Sequence, residues 1–317
     1  MSVIIKAPVA VIVYNRPDHT RRLVECIKHH QFSHLIFIAD GPKSPSDEGD
    51  CALVRSLVSR DWGCPVDYVF SRKNLGCRER VVSGLDFVFQ KFPSAIILED
   101  DCLPSDSFFD FCEMALRRYE ANDQILMACG TVLVEPAQYE FSYFFSQIPH
   151  IWGWATWRNR WEKYSKKVTN YQEFYEFKKI NGDLPEPFVW NLCENLRKIE
   201  SGTLDTWDVQ MTYLATSQNL LSVFPSKNLI CNIGFDKRGT HTKQISVLGG
   251  LRLHQFDKHV KHPEVLAALS QNDLERMLLE GHAGNPWMRL IKVLRRRRGF
   301  SQVLNRLFLK MSDALCG

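Results

Sequence analysis

Ala95-Ile96-Ile97-Leu98-Glu99-Asp100-Asp101-Cys102-Leu103-Pro104 is the stretch whose reading decides the fold. An uninterrupted apolar run ends in three adjacent acids and is stopped by Leu-Pro, which reads as a buried strand with carboxylates at its carboxyl end. Like charges side by side repel, and an apolar flank makes their solvation costly. A divalent cation relieves both costs, because hard cations prefer carboxylate oxygen. A strand running out into a solvated acidic turn is the plain alternative. Taken alone, the stretch leaves the two readings level.

Working outward, the same grammar recurs on the amino-terminal side. Residues 8–14 are β-rich and stop at Asn15-Arg16-Pro17, and a helix is expected next with Asp18 as its N-cap. Residues 35–39 end in Asp40-Gly41-Pro42, and residues 66–70 end in Ser71-Arg72. Helical spacing falls between these runs at residues 52–58 and 81–89. Alternating strands and helices predict an α/β fold, with a mostly parallel central sheet covered by helices on both faces. In such sheets ligands bind beyond the carboxyl ends of the strands, which puts Asn15, Arg16, Asp40, Arg72 and Glu99-Asp100-Asp101 on one rim.

Asn74-Leu75-Gly76 sits at a strand–helix junction beside Arg72, Lys73, Arg78 and Arg80. The helix start offers free N–H groups, so a phosphate site stands beside the plain reading of a structural glycine turn. The Gly-rich dinucleotide and P-loop patterns are absent, which weighs against a dehydrogenase or a P-loop kinase.

Beyond a helix at residues 105–121, expected to be capped by Ser105, and a fifth strand at 125–130, aromatics crowd residues 141–161 around Trp152-Gly153-Trp154-Ala155-Thr156-Trp157. They read as core packing combined with a flat wall for an acceptor. Residues 187–200 are helical, and a further helix is expected to open at Asp205, its N-cap, with Asp208 as a second carboxylate in its first turn. His241 lies in a glycine-containing loop, where an exposed structural histidine is the ordinary reading.

The bulk numbers fit a globular chain. Its 317 residues are 45% hydrophobic and 24% charged, and no apolar run is long enough to span a bilayer. Ten scattered cysteines without a Cys-x-x-Cys pair predict reduced thiols and a cytoplasmic setting, without a disulfide framework or zinc site. The net charge of +4 hides a basic tail: residues 285–317 carry +7, leaving −3 on the rest, which argues against nucleic acid as a partner. Trp287, Leu290, Ile291 and Leu294, and again Phe300, Val303, Leu304, Leu307 and Phe308, follow helical spacing around Arg295 to Arg298. Two basic amphipathic helices suit an anionic membrane surface; a helical appendage packed on the body is the alternative.

The set Val13-Tyr14-Asn15-Arg16-Pro17, Ala39-Asp40-Gly41-Pro42, Arg72-Lys73-Asn74-Leu75-Gly76, Leu98-Glu99-Asp100-Asp101 and Trp152-Gly153-Trp154-Ala155-Thr156-Trp157 resembles bacterial glycosyltransferases of the GT-A fold, family-2-like. Its Glu-Asp-Asp is similar to that of N-acetylglucosaminyltransferase I. The resemblance implies a GT-A domain over residues 1–245, with a donor half to about 130 and an acceptor half beyond it, followed by a helical tail at 246–317. It implies an inverting hexosyl or N-acetylhexosaminyl transfer from a nucleotide-diphosphate sugar to a glycan or lipid-linked hydroxyl, with Mn²⁺ or Mg²⁺ as cofactor. A peripheral position at the inner membrane, in polysaccharide assembly, goes with that reading.

By the same resemblance Asn15, Arg16 and Asp40 line the base and ribose pocket, and Arg72, Asn74 and Arg80 lie near the diphosphate or donor. Asp101 and His241 bind the metal, with Glu99 and Asp100 on metal waters, ribose or sugar. Asp208 stands as base, and Trp152, Trp154 and Trp157 meet the acceptor. Two departures from the pattern are the leading Glu and the Thr206-Trp207 before Asp208. A sugar nucleotidyltransferase and a non-catalytic sugar-nucleotide-binding protein at the membrane are the rival readings.

Overall fold

A computed structural model describes residues 4–182, 184–235 and 251–279. In chain order the strands are β1 (Ile4–Ile5), β2 (Val9–Val13), β3 (Gln31–Phe32), β4 (Leu35–Ala39), β5 (Val66–Phe70), β6 (Ser94–Glu99), β7 (Cys102–Pro104), β8 (Ile125–Cys129), β9 (Tyr143–Ser146), β10 (Trp154–Trp157), β11 (Leu221–Pro225) and β12 (Ile230–Asn232). The helices are α1 (Pro17–Ile27), α2 (Glu48–Val58), α3 (Cys77–Lys91), α4 (Phe108–Arg118), α5 (Arg158–Trp161), α6 (Tyr171–Asn181), α7 (Glu186–Glu200), α8 (Asp208–Ser217) and α9 (Ser270–Leu279).

Eight strands form one sheet in the order β5-β4-β2-β6-β10-β8-β11-β9. The quartet β5, β4, β2 and β6 is parallel, as the alternating sequence predicts. β10 enters antiparallel between β6 and β8, pairing Trp154 with Ile97 and with Cys129, and β9 closes the edge antiparallel to β11. The sheet is therefore mixed but mostly parallel, with apolar clusters on both faces under the helices. β6 has no polar face because both sides are covered: Ala95, Ile96, Ile97 and Leu98 are all fully buried.

Helix boundaries follow local chemistry. α1 starts at Pro17, whose fixed φ and missing N–H suit the first helical position, so Arg16 rather than Asp18 is the N-cap residue. α4 likewise starts after Ser107, not at the expected Ser105, which is buried and receives no capping role. α6 and α7 pack as a hairpin with a small apolar core of their own around Phe174, Phe188 and Leu192.

A two-stranded pair, β7 with β12, folds the chain back beside the acids, joining Cys102 to Asn232. Residues 251–279, expected as part of a separate tail, lie on the same body: His254 N–H donates to Asn228 O at 2.9 Å, and Asn272 donates to Val134 O at 2.7 Å. His241 and the basic segment 285–317 lie outside the described residues. No helix among the described residues is long and apolar enough to cross a membrane.

Candidate active site

The acids sit where β6 ends and the chain turns into β7. Pro17 at the start of α1 sets Arg16 opposite them, and its guanidinium donates to Asp100 Oδ1 and, at 2.9 Å, to Asp101 Oδ2. Burial works against the Arg16 charge, but Asp100 and Asp101 outweigh it and hold the group protonated. One cation thus faces three carboxyl groups.

The remaining acid chemistry is uncompensated. Glu99 Oε1 and Asp100 Oδ2 are buried and have no hydrogen-bond partner among the described residues. Burial, then the charges of Asp101 and Asp100, pushes the Glu99 carboxyl up to about 8. Asp100 rises to about 7 through burial, against the pull of Arg16. An oxygen-only donor set with two unpartnered buried oxygens fits a hard divalent ion such as Mg²⁺ or Mn²⁺. Glu99 and Asp100 supply the free oxygens, with Asp101 alongside; Asp101 Oδ2 is engaged by Arg16.

The β7–β12 pair closes this corner. Asp101 O accepts the Ile233 N–H at 2.8 Å, and Asp101 Oδ1 lies 3.5 Å from the Asn232 amide. At Gly234 a Cβ would fall 2.3 Å from Asp101 Oδ2, so any side chain here would push the Asp101 carboxylate aside. Sequence reasoning missed Asn232 and Gly234; a glycine two residues after an asparagine at a strand end was the available signal.

Several residues expected to face the donor are engaged with the chain. Asp40 is buried, and its carboxylate accepts the N–H groups of Gly41 at 2.8 Å, Leu75 at 2.9 and 3.0 Å and Gly76 at 3.1 Å. Asn74 donates to Gly41 O at 2.8 Å, and Asn15 donates to Asp47 Oδ1 at 3.0 Å. These bonds fix the loops after β2, β4 and β5 to one another. Arg72 is exposed on the rim, whereas Arg80 is buried on α3 and its Nε has no partner among the described residues.

The anion at the start of α3 is supplied by the chain itself. Asp205 accepts the N–H of Cys77 at 2.8 Å and of Arg78 at 3.2 Å. Gly76, with φ of +83°, brings the turn so near that a Cβ would lie 2.6 Å from Asp205 Oδ2. The expected phosphate site at this terminus is thereby corrected: those donors are taken. Asp205 also does not cap its own helix, since α8 begins only at Asp208.

Asp208 is placed by aromatic packing. β10 lies next to β6, and its Trp154 stacks on Trp207 with centroids 5.5 Å apart. Tyr164 adds a hydrogen bond to Trp207 O at 3.0 Å. Asp208 follows Trp207 directly, accepts the Thr206 hydroxyl, and lies close enough to Glu99 for its charge to help raise that carboxyl. The same packing corrects the acceptor wall: Trp154 and Trp157 are core residues, 0% and 3% exposed. Trp152 alone of the three is half-buried, edge-on to Phe235 at 5.4 Å and to His150 at 4.5 Å.

No family model matches the chain, and no curated protein does. Among solved structures, HddC from Yersinia pseudotuberculosis is similar at 14% identity and a TM-score of 0.26, over 35% of this chain and 54% of that one. The chain thus spans about half of HddC's length. A UDP-glucose pyrophosphorylase complexed with UDP-glucose is similar at 8% identity and a TM-score of 0.34, over 69% of this chain and 89% of that one. An apo UDP-glucose pyrophosphorylase gives 8% identity and a TM-score of 0.34 over 68% and 90%. At these scores the likeness is too slight to indicate a function.

Proposed function

We propose that the protein is an inverting, metal-dependent glycosyltransferase that uses a nucleotide-diphosphate sugar. The observation that carries this reading is the pair of buried, unpartnered carboxyl oxygens of Glu99 and Asp100 at the end of β6, with the charges of Asp101 and Asp208 acting on Glu99. Glu99 and Asp100, with Asp101, would hold a divalent ion, which would supply positive charge for a leaving diphosphate. Arg16, tied to Asp100 and Asp101, keeps the carboxylates oriented.

In the proposed step the acceptor oxygen attacks the anomeric carbon, and the bond from that carbon to the phosphate oxygen breaks. The bonding pair leaves with the nucleoside diphosphate, and the hydroxyl proton passes to Asp208. One base opposite one leaving group gives inversion. Thr206, hydrogen-bonded to Asp208, fixes the carboxylate's orientation. Trp152 offers the remaining aromatic edge for a sugar or lipid-linked acceptor.

Asp208→Asn tests this assignment. Transfer should fall by about 10²- to 10⁴-fold while nucleotide affinity is kept; turnover near the wild-type rate would remove Asp208 as the base. The released product separates the rivals: a nucleoside diphosphate marks a glycosyltransferase, pyrophosphate a nucleotidyltransferase.

A further inference from the structure

We propose that His29, His30 and Asp106 form a second metal site, of the zinc class, remote from the acid rim and independent of the function proposed above. Among the described residues it is the cluster whose ligand atoms all lie within 4.8 Å of one another. His29 Nε2 lies 3.0 Å and His30 Nε2 3.5 Å from the same atom, Asp106 Oδ1. Zinc bonds of about 2.0–2.2 Å at tetrahedral angles put neighbouring ligand atoms about 3.3–3.5 Å apart, so the two His–Asp106 separations lie near the edges of a tetrahedral face and the third ligand pair is within 4.8 Å. The fourth corner opens to solvent, because His29 and Asp106 are 54% and 68% exposed.

The site is built rather than accidental on its inner side. His30 is half-buried and packs edge-on against Phe109 with centroids 4.9 Å apart, and its backbone N–H donates to Ile27 O at the end of α1. His29 lies against His30 with centroids 4.2 Å apart. Two imidazoles with one carboxylate select zinc and its neighbours over Mg²⁺ or Ca²⁺, which favour all-oxygen sites.

The position gives the ion a structural task. α1 starts beside Arg16 and ends at Ile27, just before His29 and His30, while Asp106 follows the acids through β7. An ion here ties the same two segments at a second point, about 16 Å away along the helix.

The full chain, stripped by chelator and held in excess Mg²⁺ to occupy oxygen-only sites, is titrated with Zn²⁺ alone. One ion should bind at micromolar or better affinity and raise Tm by about 5 °C at saturation. His29→Ala and Asp106→Asn, both at exposed positions, should each weaken binding at least tenfold and abolish the Tm rise, while Glu99→Gln leaves both unchanged. Equal zinc affinity in the wild type and these variants, or no binding at about 100 μM zinc, overturns the proposal.

Discussion

Replacing Asp205 by Ala removes the anion that the chain places at the start of α3. The carboxylate accepts two first-turn N–H groups, at 2.8 and 3.2 Å, from residues 128 and 127 positions earlier. A capping side chain is worth about 0.5–2 kcal/mol, and a charge at a helix N-terminus about 0.3–1 kcal/mol more at an exposed site. Asp205 is exposed, so a loss of about 1–2 kcal/mol is expected, or about 2–8 °C in Tm at about 2–4 °C per kcal/mol. Calorimetry at pH 7 reads it directly. The freed donors give a second readout: phosphate should raise the Tm of Asp205→Ala more than that of the wild type, whose donors are occupied. A variant melting within 1 °C of the wild type, or an equal response of both to phosphate, would refute the capping role.

Two further outcomes follow from the same geometry. The Glu99 carboxyl is raised from 4.5 to about 8, so the folded state binds more protons than the unfolded chain in that window. Stability should therefore fall as pH rises from about 5 to 8, and Glu99→Gln or saturating Mg²⁺ should flatten the decline; identical slopes in Tm against pH would contradict it. Trp154→Ala should cost about 3–5 kcal/mol in chemical denaturation because it empties a fully buried site, whereas Trp152→Ala should cost far less and act on the acceptor KM; the reverse order would restore Trp154 to the surface.

The parallel half of the fold was legible because β2, β4, β5 and β6 are local apolar runs that end in polar residues. β10 was not, since its Trp-Ala-Thr-Trp pattern carries tryptophan on both faces and reads as a platform. Its place in the middle of the sheet, between β6 and β8, puts Trp154 in the apolar cluster on one face and Trp157 in the cluster on the other. The acid rim was legible for the same reason as β6. Its closure by Asn232 and Gly234, and the capping of α3 by Asp205, depend on contacts across more than a hundred residues; the Asn-x-Gly pattern marks a strand end but not the acids it folds onto. Asp40 shows the converse: its place at a strand end was apparent, but not that four backbone N–H bonds would occupy it.

The central claim is that Glu99, Asp100 and Asp101 hold a divalent ion that binds a nucleotide diphosphate. Thermal shift against UDP, GDP, dTDP and CMP, each with and without Mn²⁺, tests it most directly. One nucleoside diphosphate should raise Tm by several degrees (about 2–4 °C per kcal/mol of binding linkage) only when Mn²⁺ is present, and Asp101→Asn should lose the response. Stabilisation that is the same without the metal, or none from any nucleotide, would contradict the account.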